Sequence, residues 1–248
     1  TLVRSELEHG QAPWKHAAIS GWILDPDRKK MSKSKGNVVV PNEILETHGS
    51  DAVRYWAASA RLGTDAAFDE GQMKIGRRLA IKLLNAARFA LSFELPAGVT
   101  AVTEPIDKSM LASLQEVIAG STEAFEGYDH TKAQEKAESF FWTFTDDYLE
   151  LVKERAYGQG DFTEQEKGSA VIALRQALGV LVRLFAPFIP FAAEEVWSWW
   201  QDGTVHKSSW PTTGEISGED AGLMILASAA LVQIRKSKSD NKLSMKAE

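Results

Sequence analysis

The sequence predicts a mainly α protein, a bundle of long amphipathic helices preceded by a small α/β segment that carries a strongly basic loop. Three features lead there. From about Phe68 onward apolar residues recur at helical spacing through several long stretches. Short breaks rich in glycine and proline separate those stretches, so neighbouring helices should run antiparallel. Before Phe68 the elements are short and punctuated by turn residues, as at a mixed α/β edge.

Taken in chain order, KHAAISG and WILD (15–25) are short β-prone runs separated at Gly21, and the turn DPDRK follows. A hairpin is therefore expected, with the basic segment at its exit. PNEILETHG reads as a short helix opened by Pro41 and stopped at Gly49. SDAVRYWAASARLG reads as another, capped by Ser50 or Asp51 and closed near Gly63. The first long helix, DEGQMKIGRRLAIKLLNAARFALSFEL, places Ile75, Leu79, Leu83, Ala86, Ala90 and Phe93 on one stripe, and LPAGVT breaks it. A second runs from about Asp107 to Glu126 and ends at Gly127. The third, DHTKAQEKAESFFWTFTDDYLELVKERAYG, has Phe140, Phe144, Tyr148 and Leu151 as its expected buried stripe. Thr163 and Glu166 form a capping box for the fourth, which extends into RLFAPFIPF, where Pro187 and Pro190 interrupt the chain before the Trp-rich AAEEVWSWW. The expected divisions are 1–64, 65–212 and 213–248, the last a C-terminal extension.

Hydrophobic residues make up 44% and charged residues 25% of the 248, ordinary values for a soluble globular chain. No apolar run is read as approaching the ~20 residues of a membrane span, and TLVRSELEHG lacks the order of a signal peptide. A cytoplasmic protein with no membrane partner is expected. The absence of cysteine excludes disulfides and thiolate metal sites. His9, His16, His48, His130 and His206 are scattered, so no metal site is expected. The chain starts at Thr1 and stops in KLSMKAE, which reads as a piece of something longer. Trp197, Trp199 and Trp200 read as packing residues. The pairs Asp146/Asp147 and Glu194/Glu195 read as solvated or helix-end charges with no acid/base role.

Net charge is −6, yet three basic clusters stand out. Lys74, Arg77, Arg78, Lys82 and Arg88 form one, and Arg235, Lys236, Lys238, Lys242 and Lys246 another; each suits a solvated helix face as well as a nucleic acid. The remaining cluster, RKKMSKSKGN (28–37), is different. Its cations repel one another in a stretch whose Ser32, Ser34 and Gly36 favour turns, and a bound polyphosphate would relieve that repulsion. Lysine suits moving phosphate charge because its ammonium is compact and its stem flexible. A solvated basic loop is the plain alternative, and Met31, Gly36 and Asn37 at fixed offsets weigh against it. Elsewhere, Lys82, Asn85 and Phe89 stand at i, i+3 and i+7, on nearly one helical face. A cation, an amide and an aromatic ring together suit single-stranded RNA; Phe89 in the core and Lys82 in solvent is the other reading.

KMSKS at Lys30 to Ser34, continued by KGN at Lys35 to Asn37, resembles the signature loop of class I aminoacyl-tRNA synthetases, especially the valine, isoleucine and leucine subgroup. GSDAVRYWAAS (49–59), IKLLNAARF (81–89), PFIPFAAEEVW (187–197) and SSWP (208–211) are similar, in the same order, to segments of that subgroup. Within it, KLLNAARF and the closing RKSKSDNKLSMKAE are most similar to valine-specific members, with isoleucine- and leucine-type members as alternatives.

The resemblance implies a parent enzyme that makes an aminoacyl-adenylate from ATP and valine, then passes the aminoacyl group to valine tRNA. It implies Lys30, Met31, Ser32, Lys33 and Ser34 as the ATP-binding loop, with Lys30 and Lys33 catalytic: Lys33 on the leaving pyrophosphate, Lys30 on the triphosphate. Mg²⁺ would accompany ATP through nucleotide oxygens and water, and no tightly bound cofactor is expected in this chain. The bundle would bind the anticodon region through Lys82, Asn85 and Phe89, and the parent would be monomeric. The family's His-Ile-Gly-His type motif has no counterpart here, so this chain is expected to hold half of an active site and to be inactive alone. A free-standing RNA-binding module without chemistry is the second hypothesis.

Overall fold

The computed structural model describes residues 1–244; 245–248, and with them Lys246 of the third basic cluster, lie outside the described residues. An exposed helix α1 (Leu2–His9), absent from the sequence reading, closes at Gly10, whose φ of 67° favours glycine. Strand β1 (Ile23–Leu24) pairs in parallel with β2 (Ala66–Ala67), in the register Ile23 with Ala66 and Leu24 with Ala67. The expected hairpin is thus corrected in detail. KHAAISG does not fold onto WILD: its Ser20 bridges Leu62 antiparallel, and a tighter hairpin joins Leu24 to Lys30 across DPDRK. Gly21 explains the route, since a Cβ there would stand 2.1 Å from the Thr64 carbonyl oxygen, so only glycine lets the two backbones meet.

Pro41 opens α2 (Pro41–His48), and Gly49 separates it from α3 (Ser50–Ala58), which ends at Ser59 rather than near Gly63. Asp69 caps α4 (Glu70–Leu91) by accepting from the Gly71 and Gln72 amides. Of the expected stripe, Leu79, Leu83, Ala86, Ala90 and Phe93 are buried, and Ile75 is half-buried against the core. Gly76 lies against the Tyr55 ring, so α3 and α4 pack closely there.

The next hairpin joins α5 (Pro105–Glu126) to α6 (His130–Thr143); after a π-helical segment, Phe144–Tyr148, the chain continues as α7 (Leu149–Tyr157). Phe140, Phe144 and Tyr148 are buried as expected, but Leu151 is 42% exposed and Val152 takes its place in the core. The wider π turn is the reason, for it keeps residues four apart on one face where an ordinary α-helix would drift toward i+3.

Thr163 and Glu166 form the expected capping box for α8 (Glu164–Phe185), the central helix of the bundle. By length and composition α8 could cross a membrane, contrary to the sequence reading. It is mostly buried among α4, α5, α6 and α7, so its apolarity serves the core. Beyond Pro187, α9 (Pro190–Ser198) starts the Trp-rich segment, whose Trp197, Trp199 and Trp200 pack half-buried on the core. The chain then reaches α10 (Gly222–Asp240), which returns to α5: Met224 is buried, and its amide donates to the Ser109 hydroxyl at 2.8 Å.

Neither Ser50 nor Asp51 caps α3. Instead the Asp51 carboxylate accepts from the amides of Phe191 (3.0 Å) and Ala192 (2.7 Å), capping α9 from a distant part of the chain. Asp51→Ala is expected to lower stability by about 1 kcal/mol, with Asp51→Asn losing less, as measured by urea unfolding. An unchanged midpoint for Asp51→Ala would remove this role.

The acidic pairs are corrected in part: Asp146 and Glu195 are exposed as expected, while all four make contacts the sequence reading did not give. Asp147 is buried and pairs with Arg235, Asp146 pairs with Lys82 at 2.9 Å, and Glu194 accepts from the Thr204 hydroxyl and the Val205 amide. Glu195 accepts from the Trp199 indole at 3.0 Å. Except for the local Glu195–Trp199 contact, these are ties between segments that sequence distance conceals. A second buried tie centres on Asp107, which receives Tyr148 Oη (2.8 Å), Ser169 Oγ (2.6 Å) and both Arg155 Nη atoms (2.6 and 2.8 Å).

Candidate nucleotide loop and nucleic-acid interface

The basic loop grows directly out of β1. Asp25 and Lys29 close the turn through an amide-to-carbonyl bond of 2.9 Å, with Arg28 in the left-handed region at φ 61°. The Leu24–Lys30 bridge then sends the chain outward, and residues Lys33–Lys35 form one 3₁₀ turn. Gly36 ends that turn at φ 67°, its amide donating to the Lys33 carbonyl at 3.2 Å. A side chain at 36 would be strained in that conformation.

Within this frame the predicted residues are brought together. Lys30 is exposed, and its Nζ stands 4.0 Å from the centroid of the Trp22 ring, a cation–π contact. Lys33, Ser34 and Lys35 are exposed; Met31 and Ser32 are half-buried at the base. The Ser32 and Ser34 hydroxyls lie 3.2 Å apart. Lysine ammoniums, hydroxyls and a short turn thus face solvent on one projecting loop, a donor set suited to phosphate oxygens.

Two residues beneath the loop carry more than the sequence reading gave them. Asn37 Oδ1 accepts from the Ser32 amide at 2.9 Å, while its Nδ2 donates to Asp25 Oδ2 (2.8 Å) and to the Lys30 carbonyl (3.2 Å). Asp25 Oδ1 accepts from the Lys29 amide at 2.7 Å. The Asn37 amide first, and then the Lys29 N–H, hold the buried Asp25 carboxyl below the usual carboxylate range. Asn37 was read as part of the motif. Asp25 was read only as a turn residue, and its one local signal is its place at the start of an Asp-Pro turn.

On α4 the structure is less simple than the i, i+3, i+7 spacing. Lys82 pairs with Asp146 and lies 6.0 Å from the Trp142 ring, which Arg78 also approaches at 5.8 Å. Asn85 is exposed. Phe89 is half-buried, edge-to-face with Phe93 (4.9 Å) and Tyr157 (6.0 Å). Its neighbour Arg88 sits 5.4 Å from the Trp199 ring. The remaining basic clusters are partly structural, since Arg77 donates to the Thr47 carbonyl at the end of α2 and Arg235 is bound by Asp147. Among the described residues no group of three or more His, Asp or Glu is placed to hold a metal ion.

Comparison with known proteins shows the family and the likeness of fold. Residues 2–69 match the family described as tRNA synthetases class I (I, L, M and V), and residues 107–248 match the anticodon-binding domain of tRNA ligase. Helix α4 lies between the two matched stretches. The chain is 61% identical to the valine–tRNA ligase of Thermobifida fusca, with 100% of this chain and 29% of that protein aligned. For the valine–tRNA ligase of Leifsonia xyli the identity is 59%, over 99% of this chain and 29% of the relative. The chain therefore spans under a third of the length of these relatives. Among solved structures, the ternary complex of Agrobacterium radiobacter K84 agnB2 LeuRS with tRNA and LeuAMS superposes with a TM-score of 0.63 at 22% identity, covering 87% of this chain and 27% of that one, a likeness of fold. With its family-typical lysine loop standing on β1 and a helical bundle behind it, the chain belongs to the class I tRNA synthetases and carries their anticodon-binding domain.

Proposed function

We propose that this chain serves within a valine–tRNA ligase, supplying the ATP loop of valine activation and the surface that binds valine tRNA. The observation that carries this reading is 61% identity along the whole chain to a ligase of that name. In the proposed enzyme Lys33 neutralises charge growing on the leaving pyrophosphate, Lys30 steadies the triphosphate, and Met31, Ser32 and Ser34 shape the loop around ATP. Mg²⁺ comes with the nucleotide and keeps most of its water, and the chain holds no resident cofactor. Residues 1–64 end the catalytic domain, 65–212 form the anticodon-binding bundle, and 213–248 lead onward from it. The enzyme works in the cytoplasm as a monomer. The adenylating site is completed by residues outside this chain, so the chain alone should not exchange pyrophosphate into ATP.

For RNA, the proposed face is Lys82, Asn85 and Phe89. Titration of the chain against valine, isoleucine and leucine tRNAs at two salt concentrations tests it. Valine tRNA should bind best, with affinity falling steeply with salt as counterions are released. Phe89→Ala should weaken binding by about 1–3 kcal/mol through lost stacking. Lys82→Ala should weaken all three tRNAs alike and flatten the salt slope, because a phosphate contact carries no base information. Equal affinity for the three tRNAs, with Phe89→Ala binding like the parent but unfolding more easily, would return Phe89 to its Phe93–Tyr157 cluster as a packing residue.

A further inference from the structure

We propose that Asp25 and Asn37 are positioning residues that hold both ends of the lysine loop in register for ATP, an inference that rests on the proposed role of that loop. The loop's cationic side chains are exposed and repel one another, and the contacts of Lys29 with Asp27 and of Lys30 with the Trp22 ring do not reach the 3₁₀ turn, so they do not set the loop's shape. What sets it lies underneath. Through one side chain, Asn37 grips the Lys30 carbonyl and the Ser32 amide, the backbone groups on either side of Met31. The Ser32 amide also stands directly before the 3₁₀ turn that presents Lys33. Asn37 is in turn held by Asp25, which is 6% exposed and whose second oxygen receives the Lys29 amide. Hinge turn, loop entry and loop exit are thereby tied to one buried carboxylate.

The donor and acceptor assignment is specific. Asp25 must accept, because both groups facing it are N–H donors. Asn37 must donate and accept at once, because it faces a carboxylate and a carbonyl on one side and an amide N–H on the other. Alanine at 37 removes every contact. Aspartate at 37 sets two carboxylates against each other, and asparagine at 25 sets two amides against each other or gives up the Lys29 bond. The exchange of both, Asp25→Asn with Asn37→Asp, restores a donor facing an acceptor between the two side chains and leaves Ser32 its acceptor, while the Lys30 carbonyl loses its donor.

Displacement of a lysine ammonium by about 1 Å can lower a rate roughly 10²-fold without altering the binding of a substrate elsewhere. The experiment measures valine-dependent pyrophosphate exchange in the full-length ligase for Asn37→Ala, Asn37→Asp, Asp25→Asn, the double exchange and Lys33→Ala, with melting temperatures for each. The single Asp25 and Asn37 variants should lose kcat by about 10- to 100-fold, with valine KM within about twofold and melting close to the parent. The double exchange should regain part of the loss relative to the single Asn37→Asp and Asp25→Asn variants, short of the parent because the Lys30 carbonyl stays without its donor. Parent-like kcat in Asn37→Ala, while Lys33→Ala is impaired, would overturn the positioning role and leave the loop's role standing. Parent-like kcat in Lys33→Ala as well would overturn both. Loss that tracks melting temperature and is not regained in the double exchange would reduce Asp25 and Asn37 to fold stability and also overturn the proposal.

Discussion

Asp107→Ala is expected to lower the unfolding free energy by about 3–5 kcal/mol, as removal of one member of a buried ion pair does. The carboxylate is fully buried and satisfies three side chains at once: the Arg155 guanidinium, the Tyr148 hydroxyl and the Ser169 hydroxyl. Ser169 Oγ in turn accepts from the Thr103 and Glu104 amides, so the strand of chain entering α5 hangs on the same cluster. Alanine would leave a buried guanidinium without its counter-charge. Burial acts against the Arg155 charge, and the Asp107 contacts more than reverse it, holding the group above its ordinary range. A double replacement, Asp107→Leu with Arg155→Met, should therefore cost less than Asp107→Ala alone, because neither charge is then stranded. Urea unfolding of the three proteins decides the matter. A loss below about 1 kcal/mol in Asp107→Ala, or a double variant no better than the single, would mean the site is reached by water and the tie is weak.

The same cluster fixes the sign of an alkaline effect. Burial first, and then the Asp107 carboxylate, push the Tyr148 hydroxyl well above the ordinary tyrosine range. Burial and the Glu138 carboxylate, which accepts the Tyr55 hydroxyl at 2.7 Å, push Tyr55 the same way. A raised folded-state pKa gives stability that is present in full below the unfolded value of about 10 and is lost as pH climbs through the folded one. Unfolding free energy should accordingly fall above about pH 10, and Tyr148→Phe should make that fall shallower. An identical alkaline slope in Tyr148→Phe would show that other groups carry it.

What could be read beforehand was what lies close together in the chain. The Thr163–Glu166 capping box, Pro41 at the first turn of α2 and the stripe from Leu79 to Ala90 each depend on neighbours within a turn or two, so pattern alone exposes them. Lys30 to Ser34 form a contiguous motif, which made the loop legible as well. Residues whose meaning depends on tertiary neighbours were missed or misread. Asp51 looks like a cap for the helix it sits on and caps α9 instead. Asp147 was read as a solvated or helix-end charge and Asp107 only as the start of a helix, because nothing local signals that an arginine from another helix will meet them. Leu151 was placed in the core because a uniform α period was assumed, and the π turn at 144–148 moved that place to Val152. At the loop the same boundary holds: the lysines announce themselves, whereas the Asp25 carboxylate beneath them becomes visible only when Asn37 folds back onto it.

If the chain serves in a valine–tRNA ligase as proposed, Lys33→Ala in the full-length enzyme is expected to slow adenylate formation by on the order of 10²-fold or more, the effect of removing one preorganised donor from a developing charge. The lysine opens the 3₁₀ turn, its side chain is exposed, and the turn is closed behind it by Gly36. It can therefore follow a phosphate as charge shifts toward the leaving pyrophosphate, while the backbone that carries it stays tied at Ser32. Lys30 differs, because its ammonium already rests on the Trp22 ring. In the proposed role ATP draws it from that contact, so Lys30→Ala should raise the ATP KM more than Lys33→Ala does. Neither change should move valine binding much if both act at the phosphates as proposed. Pre-steady-state adenylation with varied ATP and varied valine separates these terms. If the Lys33→Ala rate constant equals that of the parent at saturating ATP, Lys33 has no share in stabilising the transition state; if its whole effect lies in ATP KM, it binds the nucleotide as Lys30 does and the division of labour between the two lysines is lost.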